Sequence, residues 1–394
     1  MSIRNSKFLY FDTVQITRSD IIWGLLEQEV LVERASFSAD IYRYTDSDVN
    51  AIMDALQNYD IAFSQNFVPS LATACKKLGK IYISWVYDCP QIQLYYNEAL
   101  FDSNYIFMFD KAETECLMNK GIKHIYWLPL AANTLMINSH VITDEAINKY
   151  NCDVSFVGSL YKRDYISRIL NSLPNNILSE LNEYTNNRLC KYIANDSYSS
   201  GITDDYSEYF YKNGFIDRDY NNVPIEKDRL VELLINYPYL SSLERVTLIN
   251  IAAQEYDTRL YTRETNVSDV NAKICQPVSV DDELFDVYFS SKVNLNITWR
   301  GITSGVSQRV FDIMAVGGFV LSSYQSEMDD LFIIGNEIEV FHDIKEYKEK
   351  LDYYLHNERA RLEIALNGYK KVQELYNYKN AINAIFSIVD QSIA

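Results

Sequence analysis

Residues Gly301–Ser323, GITSGVSQRVFDIMAVGGFVLSS, read as loop, helix, Gly-Gly turn and buried strand. Gly305, Gln308, Arg309 and Asp312 fall at i, i+3, i+4 and i+7, one face of a helix expected over 305–315. Val306, Val310, Ile313 and Met314 fall on another face and can pack against a sheet. The polar face is left for a ligand. Small residues at the start leave backbone N–H groups open to an anion, which the helix dipole favours. A carboxylate two turns further lies roughly 10 Å along the axis. That is the span from a diphosphate to the hydroxyls of a ribose.

Strand and helix runs alternate outward from this stretch. The first third offers apolar strands near 8–12, 30–34, 60–64, 81–87, 105–109 and 125–130. Helical runs near 20–29, 47–58, 71–78 and 111–120 separate them, two of them stopped by Gly79 and Gly121. A polar segment over 138–150 reads as a linker. A second series opens with DVSFVG (153–158) and continues with strands at 258–262, 293–297, 318–322 and 337–341. Between its first two strands the pattern is mostly helical over about 164–253, too long for a simple crossover. Helices are also expected at about 281–290, 344–356, 358–375 and 379–391. This alternation argues for α/β architecture with doubly wound parallel sheets. The expected domains are 1–145, 146–378 with the helical insertion 164–253, and a final helix at 379–394.

At 394 residues two domains are favoured over one. The chain carries 36 basic and 54 acidic residues, a net charge of −18. Such a surface repels phosphate backbones, so no nucleic-acid partner is expected. It also makes isolated basic positions informative. Six cysteines without a CxxC pair and four histidines without HxxxH spacing support neither disulfides nor a zinc site. Asp204–Asp205 and Asp329–Asp330 read as exposed loop acids, so no metal clamp is expected. No apolar run reaches the roughly 20 residues of a membrane span. MSIRNSKFLYFDT reads as a first strand rather than a signal peptide, and a cytoplasmic protein is expected.

Ligands of open α/β sheets bind outside the strand C-termini. Asp88, in YDCP after an apolar strand, is a candidate general base if partial desolvation beside Trp85 and Tyr87 raises its pKa. The plainer use of such an Asp is to form a turn. Asp12 competes for the same role at the end of the first strand. Gln65, Asn66 and Trp85 can contact hydroxyls, or can close loops and pack the core. Lys162, Arg163 and Arg300 follow strand ends and can balance an anion, or can be solvated helix-start charges. Asp312 has Arg309 at i−3, so an ordinary helix pair is the simpler alternative there.

Longer runs carry a resemblance. FSQNFVPSLATACKKLGKIYISWVYDCP (63–90), YIFMFDKAETECL (105–117) and YWLPLAAN (126–133) come first. CDVSFVGSLYKRD (152–164), SLERVTLINIAAQEYDTRLYT (242–262), the run 293–332 and NGYKKVQELYNY (367–378) follow. In this order they resemble bacterial glycosyltransferases of the two-Rossmann GT-B architecture, in the group related to the spore-maturation protein CgeB.

The resemblance implies two Rossmann-like domains facing a central cleft, with the nucleotide-sugar donor on the second and the final helix, 379–394, packing back on the first. Ser304, Gly305 and Val306 would cradle the diphosphate, Asp312 would hold the ribose, and Arg309 or Arg163 would balance phosphate charge. Many relatives carry Glu at that acidic position; Asp is one methylene shorter. Glu327 would contact the donor sugar, and Lys162 and Arg300 would stand nearby. A UDP- or dTDP-sugar would be transferred, without metal or other cofactor, to a hydroxyl on a protein (flagellin among the candidates) or on a surface glycan. A sugar-nucleotide epimerase and a non-catalytic nucleotide-sugar-binding scaffold are the alternatives.

Overall fold

The computed structural model describes residues 2–12, 18–36, 44–192, 202–216, 225–280 and 283–394. The chain divides into two units. Unit 1 is Met1–Thr134 with Gln373–Ala394, and unit 2 is Leu135–Val372.

Unit 1 is built on six parallel strands: β1 (Lys7–Asp12), β2 (Leu31–Ser36), β3 (Ile61–Gln65), β4 (Ile81–Val86), β5 (Asn104–Met108) and β6 (Ile125–Trp127). Their order is β2-β1-β3-β4-β5-β6. β3 and β5 are buried at every residue, the near-continuous apolar reading of a parallel sheet covered on both faces. The helix Asp46–Leu56 starts on a capping box, with Thr45 and Asp48 bonding each other's backbone N–H. The helix Pro69–Leu78 stops at Gly79, which sits at φ 64 and returns its N–H to Cys75 and Lys76 carbonyls.

The last helix, Tyr378–Ile393, belongs to this unit. Phe386 stacks on Phe8 at 5.3 Å, and Asp390 accepts hydrogen bonds of 2.7 Å from Ile3 N and Ser2 Oγ. Gly24 lets the helix Arg18–Leu26 approach closely, since a Cβ there would lie 2.9 Å from Ile382 Cγ1.

Unit 2 repeats the architecture with β7 (Cys152–Val157), β8 (Thr258–Tyr261), β9 (Lys273–Cys275), β10 (Ser291–Asn296), β11 (Val320–Ser323) and β12 (Glu339–Phe341). All pair in parallel, in the order β12-β11-β10-β7-β8-β9. The order reverses between β7 and β10, which is the switch point where ligands of such sheets bind.

The expected insertion is helical where described, with helices Asp164–Leu170, Asn175–Arg188, Asp204–Lys212, Lys227–Val231 and Tyr237–Ala253. Residues 193–201 and 217–224 lie outside the described part. Ile166, Leu181, Tyr206, Phe210, Val231 and Ile235 give the insertion its own core.

Three expectations shift. The division falls at Thr134 and Val372 rather than at 145 and 378. The reason is that 138–150 is not a bare linker: the helix Asp144–Tyr150 is capped by Thr143, and Tyr150 Oη donates to Glu283 Oε1 at 2.7 Å within unit 2. β9 was not anticipated, because three residues led by an exposed lysine carry no apolar signal. The helix expected over 305–315 begins at Gln308.

Candidate active site

Local folding in unit 2 gathers polar groups at the C-terminal ends of β7 and β10. Asn296 ends β10 and is fully buried. Its Oδ1 accepts from Ser307 Oγ (3.0 Å) and Arg309 Nη1 (2.8 Å). Its Nδ2 donates to Ser322 Oγ (2.8 Å) on β11 and to Thr298 Oγ1 (3.1 Å). One amide therefore ties two strands to the start of the helix Gln308–Ala315. Arg309 completes the tie by donating from Nε to Val157 O on β7 at 3.0 Å, with its guanidinium 5.0 Å from the Phe156 ring. Gly158 makes room for it: a Cβ there would lie 2.7 Å from Arg309 Nη2, and the backbone sits at φ +148. Gly158→Ala is expected to cost about 1–3 kcal/mol in backbone strain and to displace Arg309. Urea denaturation of the variant measures the loss.

A second arginine, missed in the sequence, stands beside the first. Arg245, on the helix Tyr237–Ala253, is 3% exposed. It donates to the carbonyls of Ser159 and of Ile297 (2.7 Å) and lies over the rings of Tyr161 (4.5 Å) and Phe156 (5.2 Å). No carboxylate forms an ion pair with either arginine among the described residues. Burial pushes the Arg245 guanidinium down to about 10, the nearby Arg309 cation adds to the fall, and Tyr161 opposes it. The group stays charged at neutral pH. Helical spacing held a signal for it: Arg245 shares a stripe with Leu248, Ile249 and Ala252, a lone cation where an apolar residue is the norm.

The other donor-side candidates divide. Asp312 is half-buried on the same helix as Arg309 and accepts from Gln308 Nε2 at 2.8 Å. Ser304, Gly305 and Val306 precede the helix, whose N-cap is Ser307, so they are not its N-terminal amides. Ser304 is drawn elsewhere: its Oγ donates to Glu327 Oε1 at 2.7 Å, and Glu327 N donates back to Ser304 O at 3.1 Å. That pair also buries Glu327 to 2% exposure, where it fastens the loop.

Arg300 is engaged within the protein. Its guanidinium is taken by the buried Glu244 and by the carbonyls of Arg188 and Lys191. Lys162 is held by Asp269. Arg163 is exposed, with the Tyr161 ring 5.8 Å from its guanidinium.

In unit 1 the informative group is the pair Asn66 and Asp88. Asn66 follows β3 in the left-handed region (φ 60), which asparagine tolerates better than most residues. Its Oδ1 accepts from Tyr87 N (2.8 Å) and Asp88 N (3.1 Å), and its Nδ2 donates to Asp88 Oδ2 (2.8 Å). Asn66 thus orients the Asp88 loop, and both ends of its amide are engaged there. Desolvation by surrounding protein raises the Asp88 carboxyl above its ordinary range, and the Asn66 hydrogen bond opposes this. The residue is open to water, which screens that rise.

Asp12 is engaged by Arg34, whose Nε donates to Oδ2 at 2.9 Å. Trp85 offers no face to a ligand. It is fully buried, with Tyr87 and Tyr378 at 5.2 and 5.3 Å. Gln65 is buried on β3, in register with Trp85.

Residues 240–387 match the glycosyl transferase-like family. Among curated proteins, none matches the chain in sequence. The fold is shared with HepE of Anabaena, solved with UDP and glucose, at 9% identity and TM-score 0.54 over 99% of each chain. It is also shared with the sucrose-phosphate synthase of Thermosynechococcus elongatus, at 9% identity and TM-score 0.52, again over 99% of each chain. An α-glucosyltransferase solved with UDP-glucose and DNA containing an abasic site matches at 9% identity and TM-score 0.52, covering 98% of this chain and 99% of that one. The chain is thus similar to the glycosyl transferase-like family over that segment, and its two Rossmann-like sheets share the GT-B fold of these structures. Among the described residues, no helix is long and apolar enough to cross a membrane, and no three His, Cys, Asp or Glu side chains group where they could hold a metal ion.

Proposed function

We propose that this chain is a glycosyltransferase of the CgeB-related group that takes a UDP- or dTDP-sugar and transfers the sugar to a hydroxyl on a protein, such as flagellin, or on a surface glycan. One observation carries the donor side of this reading. Arg309 and the buried Arg245, without carboxylate partners among the described residues, converge at the switch point of the unit 2 sheet, and Asp312 lies on the same helix as Arg309. In a chain of net charge −18, cations left uncompensated at a strand-end site are matched by an anion from outside. Structural neighbours solved with UDP or UDP-glucose support a nucleoside diphosphate as that anion.

The chemistry follows from these groups. Arg309 would contact the diphosphate and offset charge developing on the leaving group, with Arg245 adding its field from behind the Gly158–Tyr161 turn. Their charges would do what a divalent cation does in other transferases, so the reaction is proposed to run without metal or cofactor. Asp312 would accept from a ribose hydroxyl. Asp88, oriented by Asn66, would remove the acceptor proton. A DNA acceptor, as in one structural neighbour, fits poorly with the acidic chain. The protein is proposed to work in the cytoplasm, where nucleotide sugars are made.

Calorimetry with a panel of nucleotide sugars tests the reading, followed by mass spectrometry of candidate acceptors with the donor that binds. Tight binding of a UDP- or dTDP-sugar is expected; no binding by any member would overturn it. Asp312→Ala removes one charge-assisted hydrogen bond of about 1.5–3 kcal/mol, so donor affinity should fall about 10- to 100-fold.

A further inference from the structure

The helix Glu358–Glu374 is seated by one face and bare on another. Ile364, Ala365, Gly368 and Val372 are buried. Gly368 has no room for a side chain: a Cβ there would lie 2.5 Å from Glu337 O, just ahead of β12, and 2.8 Å from Met314 Cε. The helix therefore lies toward the N-terminal ends of the unit 2 strands, away from the site at their C-terminal ends. The bare face carries Leu362 at 55% exposure, Leu366 at 51%, and the half-buried Tyr369. These fall at i, i+4 and i+7, one stripe along the helix. A lone exposed leucine is ordinary, whereas a continuous apolar stripe marks a contact surface.

Charges border the stripe. Arg359, Glu363 and Lys370 are exposed and form no ion pair among the described residues, and Glu358 only approaches Arg361, at 4.0 Å. Their order is self-complementary. Two copies of the helix laid antiparallel, with the two-fold axis level with Ile364, set Leu362 against Leu366, Glu358 against Lys370, and Arg359 against the ring of Tyr369, each pair twice. A shift of four residues sets Leu362 against Lys370 and Glu358 against Glu374. A parallel pairing sets each charge against its like. Net charge favours this face as well. Two copies of a chain at −18 repel each other over most of their surface, but here four basic residues (Arg359, Arg361, Lys370, Lys371) stand against three acidic ones (Glu358, Glu363, Glu374).

We propose that this stripe binds the same stripe of a second copy of the chain, giving an isologous homodimer through unit 2. The strand C-terminal ends of unit 2 in each copy stay clear of the contact. The buried strip is one helix face about 25 Å long, so dissociation in the micromolar range is expected. Dimerisation of this kind is independent of what the strand-end site binds.

Sedimentation equilibrium of the full chain over a range of concentrations tests this, with thermal denaturation checking that each variant folds. A monomer–dimer equilibrium is expected. Leu362→Glu places a carboxylate in the stripe and should weaken the dimer at least tenfold. Glu358→Lys sets lysine against Lys370, and Lys370→Glu sets glutamate against Glu358; each alone should weaken the dimer roughly tenfold, because two pairs turn repulsive. E358K/K370E restores opposite charges at both ends and should return the dimer to native affinity. A dimer indifferent to Leu362→Glu, or a double variant no tighter than either single one, would overturn the proposal. A monomer at every concentration would also overturn it and would give the stripe to a different protein.

Discussion

Arg309→Ala is expected to lower kcat/KM for donor by roughly 10²–10³, the loss seen when one preorganised donor to a developing charge is removed, about 2.7–4 kcal/mol. Two things disappear together. The proposed diphosphate site loses the cation on the helix that also carries Asp312, and the strand ends lose the bonds to Val157 O and Asn296 Oδ1. Arg309→Lys separates the two effects. A lysine keeps the charge but cannot reach both acceptors with one planar fork, so it should recover part of the donor affinity and little of kcat. Steady-state kinetics on the three proteins, with denaturation midpoints alongside, read the outcome. A variant that loses stability but keeps kcat/KM would make Arg309 a structural tie and remove it from the chemistry.

Asp88→Asn should lower kcat by about 10²–10⁴, the range of a positioned general base, with donor affinity unchanged. The pH dependence carries more information. A base works deprotonated, so the rate falls as pH drops through its pKa. Desolvation raises the Asp88 carboxyl, so that acid limb should lie above the roughly 3.9 of an ordinary Asp. Asn66→Gly keeps the left-handed backbone but removes the amide that stabilises the carboxylate, so the limb should move to higher pH. In Asp88→Asn the limb should vanish.

The stability sign follows the same shift. A raised folded pKa contributes stability that is complete below the unfolded value and is lost as pH rises through the folded one. Asp88→Asn should therefore be at least as stable as the native chain at neutral pH. Loss of activity with an unmoved acid limb would count against Asp88.

The two sheets were legible because most of their strands are buried along nearly their whole length. YIFMF and DVSFVG admit little else, and Gly79 marked a helix end correctly. β9 was hidden by its lysine and its length. The helix expected from 305 starts only after Ser307, and Ser304 is bonded to Glu327 instead.

The site was half legible. That Arg309 and Asp312 share one helix was readable from their spacing. Arg300 and Lys162 do not, because which arginine meets a carboxylate depends on residues far away in sequence, Glu244 for one and Asp269 for the other. Arg245 was visible only as a charge on an apolar stripe, a pattern that burial alone makes meaningful. Asn66 looked like a ligand contact because its type suits one, whereas its left-handed backbone turns the amide onto Asp88.

Titration of UDP into the native chain and into Asp312→Ala, at one pH and one ionic strength, is the most direct test. A single UDP site in the native chain, weakened about 10- to 100-fold by the substitution, is the expected result. Equal affinity in the two proteins, or no UDP binding to the native chain, would contradict the assignment of this helix to a nucleoside diphosphate.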